Sequence, residues 1–233
     1  MKMFLDVGAH FGETLAVVSR PEWGFDSIVC FEPAPACWPR LAAMADDRVQ
    51  ICEFGLWDRD GQVDLHNPGA IGASMWADKD VVRGSTTCEV RDAAAWFRDN
   101  VGSDDTVYMK VNVEGAEVEI IRRLAEAGQL SKVTHLLVHF DVRKVPSKRH
   151  QEAEARALLD AAGVRYLSAE EIQFGGVRRG TRNWLRWCTA GRGRDVRFKV
   201  LPRLGLVVRR RLYPLKVRLL GRGSAVRPAA HRG

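Results

Sequence analysis

Hydrophobic and polar positions follow two rhythms along this chain. Short apolar runs end at turn residues, and stretches of helical period lie between them. Lys2 to Val7 is the first such run and predicts a strand ending at a glycine-containing turn. Gly12 to Ser19 has helical spacing and is closed by Pro21. Ser27 to Phe31 predicts a second buried strand, stopped at Glu32-Pro33. Ala34 to Ala45 reads as a helix with Pro35 and Pro39 near its start, and Val49 to Phe54 as a third strand.

The rhythm then changes. Asp58 to Gly61 predicts a hairpin turn, and Gln62 to His66 alternates as a half-exposed strand does. Asn67 to Ser85 is rich in glycine and small residues and predicts a mobile loop near a site. Asp92 to Asn100 predicts a helix, and Thr106 to Val111 a strand running into Asn112-Val113-Glu114-Gly115. Val118, Ile121, Leu124 and Ala125 then share one helix face, with Gly128 as its cap. Val133 to Phe140 is another apolar run. Ser147 is the expected cap of a helix that buries Ala155, Leu158, Leu159 and Ala162 and closes at Gly163. Val164 to Leu167 and Asn183 to Cys188 would complete the sheet, Trp184 and Trp187 packing into the core. Strands alternating with helices predict an α/β, Rossmann-like layer sandwich with a largely parallel sheet over residues 1–190.

Length and charge refine this picture. The 233 residues suit one α/β domain with an extension. The net charge of +7 is unevenly spread: residues 191–233 hold 13 Lys/Arg and one acid, whereas residues 1–190 hold 23 Lys/Arg against 28 Asp/Glu. A uniformly basic face for nucleic acid is therefore not expected. In the extension, Leu201, Leu204, Val208, Leu212, Leu215 and Leu219 fall near helical spacing among arginines. Such a segment suits peripheral contact with an anionic membrane surface, or else a solvated tail. No run reaches the roughly 20 apolar residues of a membrane span, and the opening Met1-Lys2-Met3-Phe4-Leu5-Asp6 carries charge where a secretory leader's core must stay apolar. Five scattered cysteines without a Cys-x-x-Cys pair suggest reduced structural thiols and no zinc site, so a cytoplasmic setting is expected.

The turn Asp6-Val7-Gly8-Ala9-His10-Phe11-Gly12-Glu13-Thr14 follows a strand and opens a helix, as a nucleotide-binding turn does. Its spacing is Gly-x-x-x-Gly, with His10 where a dinucleotide site needs a second glycine. The acids Asp6 and Glu13 would repel a pyrophosphate. They suit a cationic amine and sulfonium, whose neighbouring carboxylate helix amides could take. S-adenosylmethionine is such a ligand. Glu32, ending the second strand, is placed for its ribose diol.

These residues, with Phe31-Glu32-Pro33, the Asp58-to-Gly61 turn and Lys110-Val111-Asn112-Val113-Glu114-Gly115-Ala116-Glu117, resemble the FkbM-type methyltransferases over roughly Met3 to Asp141. The resemblance implies a class I methyltransferase fold with a seven-stranded sheet and helices on both faces. It also implies an S-adenosylmethionine-dependent O-methyltransferase acting on a hydroxyl of a carbohydrate or secondary metabolite. The cofactor residues carried over are Asp6, Gly8, His10, Gly12, Glu13, Thr14, Glu32 and Asn112; Ser74 resembles a position near the cofactor. The chain departs from the family at His10, where Asn is usual, and at Asn112, where Asp is usual. The second change removes a charge, so neither a metal nor a carboxylate base is expected there.

Transfer to an alcohol needs alignment and one base. His139, at the end of the Leu136-Leu137-Val138 run, is the expected base, with Asp141 or Glu114 fixing its tautomer. His139 could equally be a structural histidine, and Glu114 a favourable charge at a helix start. Lys110 and Glu117 are readable as an ion pair tying strand to helix. An RNA 2′-O-methyltransferase and a non-catalytic S-adenosylmethionine-binding module are the rival functions.

Overall fold

The protein is described from a computed structural model, which covers residues 1–70, 72–172 and 176–190. The extension from 191 onward, with the membrane contact expected of it, lies outside the described residues. Strands β1 (Lys2–Val7), β2 (Ser27–Phe31) and β3 (Val49–Cys52) form half of the main sheet. Helices α1 (Leu15–Val18) and α2 (Trp38–Ala42) connect them. A second group follows: β4 (Gly55–Trp57), β5 (Gly61–His66), β6 (Ser85–Asp92) and α3 (Ala93–Asn100). The other half of the main sheet is β7 (Thr106–Val111), α4 (Glu117–Glu126), β8 (Val133–Val138), α5 (Glu152–Ala161) and β9 (Arg165–Ser168). Helices α6 (Ala169–Ile172) and α7 (Val177–Thr189) end the described chain.

The main sheet has the order β3-β2-β1-β7-β8-β9, and every neighbouring pair is parallel. This is a doubly wound order, which reverses between β1 and β7 and opens a crevice at their carboxyl ends. Both faces are covered. Leu5, Val29, Phe31, Met109 and Leu136 pack on the side of α3, α4 and α5. Phe4, Ile28, Cys30, Tyr108 and Leu137 pack on the side of α1 and α7. Helices on both faces therefore hold as expected, and strands buried on both faces explain their continuous apolar runs. All five cysteines are buried and free. Among the described residues no helix is long and apolar enough to cross a membrane.

Three expectations are corrected. The sheet has six strands among the described residues, because Asn183 to Cys188 lies within α7 and not in a seventh strand. Trp184, Leu185 and Cys188 are one face of a helix, and Trp184 sits edge-on to Phe4 and Tyr108 at 6.0 and 6.1 Å. Trp184 and Trp187, three apart, share a helix face but would fall on opposite sides of a strand, and that odd spacing is the helical signal here. Asp58 to Gly61 does not close a hairpin either. β4 runs parallel to β6 and β5 antiparallel to it, so β6 separates them in a second sheet of order β4-β6-β5. β6 itself buries only Cys88 and Val90, too few apolar positions to mark it in sequence. Finally, Ser147 does not cap α5, whose start is preceded by the short 3-10 turn Arg149–Gln151.

Candidate active site

The crevice at the switch point is a cavity of about 260 Å³. The turn after β1, the end of β2 and Asn112 after β7 line one side; the small sheet and residues around 69–75 line the other.

Backbone geometry sets the first side. Gly8 has φ +83°, and a Cβ there would lie 2.0 Å from the carbonyl oxygen of Asn112, so only glycine lets the two segments meet. The amides of Gly8 and Ala9 both donate to the carbonyl of Phe31 at 3.0 Å. His10 adopts φ +50°, a left-handed conformation that asparagine and histidine enter more readily than most residues. Its amide donates to Glu32 Oε2 at 2.7 Å, and the amide of Ala34 donates to Oε1 at 2.9 Å. Three successive turn amides thus point at β2, and none of the three serves a ligand carboxylate. Burial pushes the Glu32 pKa up, while the two amides pull it back.

Beneath the turn, the register of β1 against β7 places Asp6 beside Lys110. The ammonium lies 2.9 Å from Asp6 Oδ1 and donates to the carbonyl of Gly8 at 2.8 Å. Both side chains are buried. Asp6 therefore supports the turn from below and does not line the cavity, and Gly12 packs toward Leu41 and Met44. Lys110 does not pair with Glu117. The Glu117 carboxylate instead accepts from the amides of Gly115 at 2.8 Å and of Val142, and burial raises its pKa to about 7.

Gly8, His10, Glu13, Thr14, Glu32, Asn112 and Glu114 are brought together on the cavity wall. Three of them carry buried polar atoms without a protein partner: His10 Nε2, Thr14 Oγ1 and Asn112 Oδ1. An unpartnered buried polar atom costs about 1–3 kcal/mol, and three around one cavity indicate a polar ligand. The Glu13 carboxylate, 3.4 Å from His10 Nδ1, can only accept, so that contact puts the proton on Nδ1 and leaves Nε2 as an acceptor in the neutral ring. Thr14 caps no helix amide.

Glu114 stands at the far end with φ +54°. Its carboxylate pairs with Lys79, lies 4.0 Å from Lys144 and feels the charge of Asp141. Burial and then the Asp141 charge push Glu114 up. Burial works against the Asp141 charge too, yet Lys144 at 2.8 Å outweighs it and holds that carboxyl down.

The loop expected to be mobile is anchored here. Ser74 Oγ donates to the carbonyl of Glu114 at 2.7 Å, and Trp76 Nε1 to that of Gly115 at 3.0 Å. Gly115 must be glycine, since a Cβ would meet Val145 at 2.7 Å and Trp76 at 2.8 Å. Ser74 thus holds the wall and is not on it.

His139 is not on the wall either. It is buried, its amide continues the ladder by donating to the Val111 carbonyl at 2.9 Å, and burial followed by the Lys110 charge depresses its pKa to about 3. An imidazole so depressed is a poor proton acceptor near neutrality. Sequence reasoning also missed Lys79 and the apolar wall of Leu56, Val63, Leu65 and Val90. The apolar wall's only sequence signal was alternation in short strands whose pairing was not legible, and Lys79, in the connection between β5 and β6, had none.

No family model matches the chain, and no curated protein matches it. Among solved structures it is similar to the crystal structure of the methyltransferase FkbM from Methylobacillus flagellatus KT, at 16% identity and a TM-score of 0.45. The match covers 71% of this chain and 38% of that one, so this chain spans well under half of that protein's length. A likeness of that degree assigns neither activity nor ligand, which rest on the cavity's own residues.

Proposed function

We propose that this protein is an S-adenosylmethionine-dependent O-methyltransferase acting on a hydroxyl of a carbohydrate or secondary metabolite. Glu32 carries this proposal. It is a carboxylate at the end of β2 on the cavity wall, each oxygen already accepting one amide. Each keeps a lone pair for a ribose hydroxyl. Asn112 Oδ1 and His10 Nε2 would accept from the ammonium, and the Thr14 hydroxyl would meet the amino-acid carboxylate. Leu56, Val63, Leu65 and Val90 offer a flat apolar ring a wall to stack against. With Lys110 held by Asp6 and Glu114 by Lys79, Glu13 and Glu32 remain on the cavity wall, and the local charge favours a cation over a phosphate.

The bound donor supplies a methyl carbon activated by positive sulfur. The chain's task is to align an acceptor hydroxyl and take its proton. His139, the expected base, does not line the cavity, whereas Glu114, expected to fix its tautomer, does, so Glu114 takes the role of base and His139 a structural one. Lys79 keeps the Glu114 carboxylate oriented and favours its charged form.

The test is calorimetry of S-adenosylmethionine with the wild type and Glu32→Ala, followed by mass spectrometry for an added methyl on candidate glycans and hydroxylated metabolites. Micromolar binding weakened by the substitution is expected. Absence of binding overturns the proposal, and binding without transfer to any hydroxyl reduces the protein to a cofactor-binding module.

A further inference from the structure

Helix α7 presents two faces of opposite chemistry. Thr181, Trp184, Leu185, Trp187 and Cys188 are buried against the sheet. Arg178, Arg179 and Arg186 are exposed, and Arg182 is half-buried. Positions 178, 182 and 186 are successive fourths, so their side chains form one stripe along the helix. α7 contains no Asp or Glu. Among the described residues none of these four arginines forms a salt bridge with an acid.

Elsewhere on the described surface Arg20, Arg40, Arg83 and Arg149 are also exposed without a salt bridge, but other arginines are paired. Arg48, Arg91, Arg98, Arg122, Arg123 and Arg156 each pair with a carboxylate at 2.6–2.9 Å. On α7 the like charges at fourth spacing repel, and Arg178 and Arg179 stand at the positive end of the helix dipole. Both effects cost stability in the isolated chain, and an anionic partner relieves both.

We propose that the arginine face of α7 docks this protein on an anionic phospholipid bilayer. Charge complementarity selects an anion. The body of the chain, with 23 Lys/Arg against 28 Asp/Glu over residues 1–190, offers no wider basic surface to track a nucleic-acid backbone. The composition further along the chain favours lipid: residues 201–220 contain ten Leu or Val among six Lys/Arg and no acid. Aliphatic side chains gain from the headgroup–acyl boundary and gain nothing from a phosphate backbone. Val177, the first residue of α7, also lines the cavity, so docking on this face would bring the cavity's rim to the bilayer.

The test is co-sedimentation of the full chain with phosphatidylcholine vesicles, with and without about 30 mol % phosphatidylserine. The variant carries Arg→Gln at 178, 179, 182 and 186, with circular dichroism and thermal unfolding confirming its fold. The wild type should pellet with the anionic vesicles only, less so as salt rises, and the variant's partition should fall about tenfold or more. Should it unfold, the double variant Arg178→Gln with Arg179→Gln gives the same reading with a smaller loss. Equal partition of wild type and folded variant overturns the proposal, as does equal binding to neutral vesicles. Displacement from anionic vesicles by a stoichiometric RNA oligonucleotide overturns it in favour of nucleic acid.

Discussion

On one side of the cavity, backbone amides hold the turn after β1 and the end of β2: two on the Phe31 carbonyl and one on each oxygen of the Glu32 side chain, with Gly8 against the Asn112 carbonyl. On the other, residues 74–79 and Glu114 are held by side chains, through Ser74, Trp76 and the Lys79 ion pair. Contacts between main-chain groups survive most substitutions, although this side still needs Gly8 and Glu32. Side-chain contacts fix one residue at a time and can be exchanged singly. A cavity built this way would keep its first side constant and leave the second open to change by substitution.

The largest effect should come from breaking the backbone side. Gly8→Ala forces a positive φ on alanine and a collision with the Asn112 carbonyl, and is expected to cost about 4 kcal/mol of unfolding free energy and abolish S-adenosylmethionine binding. Denaturant unfolding and calorimetry check both. A stable, binding-competent Gly8→Ala variant would show that the turn tolerates what its geometry forbids.

Next, Glu114→Gln keeps shape and removes the proposed base. Transfer should slow about 100-fold with donor affinity within twofold. A parallel loss of affinity would merge the two sides into one site. Glu32→Ala is its counterpart, weakening donor binding by about 1.5–3 kcal/mol, the range for hydrogen bonds to a charged group.

The Lys79 contact sharpens the comparison through pH. Lys79 lowers a Glu114 pKa that burial raises, so Lys79→Met should move the acid limb of the pH–rate profile to higher pH while leaving donor affinity unchanged. An unshifted limb would remove Glu114 from the proton transfer.

His139 gives the smallest effect on rate. Its folded pKa of about 3 lies below the ordinary 6.5, so in acid the unfolded chain takes up a proton that the folded chain refuses. This stability is present above pH 6.5 and lost as pH falls toward 3. The difference in unfolding free energy between wild type and His139→Leu should therefore change by about 1.4 kcal/mol per pH unit within that window, with transfer at neutral pH nearly unaltered. A large loss of transfer at neutral pH would return His139 to the chemistry.

Sequence alone determined what local pattern can encode. The strands Lys2–Val7, Ser27–Phe31 and Thr106–Val111 were legible from their bounds, since runs buried on both faces are apolar throughout. The turn around Gly8 and the acid ending β2 were legible because a strand, a tight turn and a fixed spacing bring them together without further folding. Tertiary structure decided everything that depends on which strand neighbours which. Register set Asp6 on Lys110 and took Asp6 off the wall; β6 slipped between β4 and β5 and built an apolar wall no run announced; the chain's crossing brought Lys79 to Glu114, 35 residues away. His139 and Glu114 both follow strand ends in sequence, and only packing made one a buried neutral ring and the other a carboxylate facing the cavity. Proximity between residues far apart in the chain is a property of the packed sheet, and a one-dimensional pattern carries no term for it.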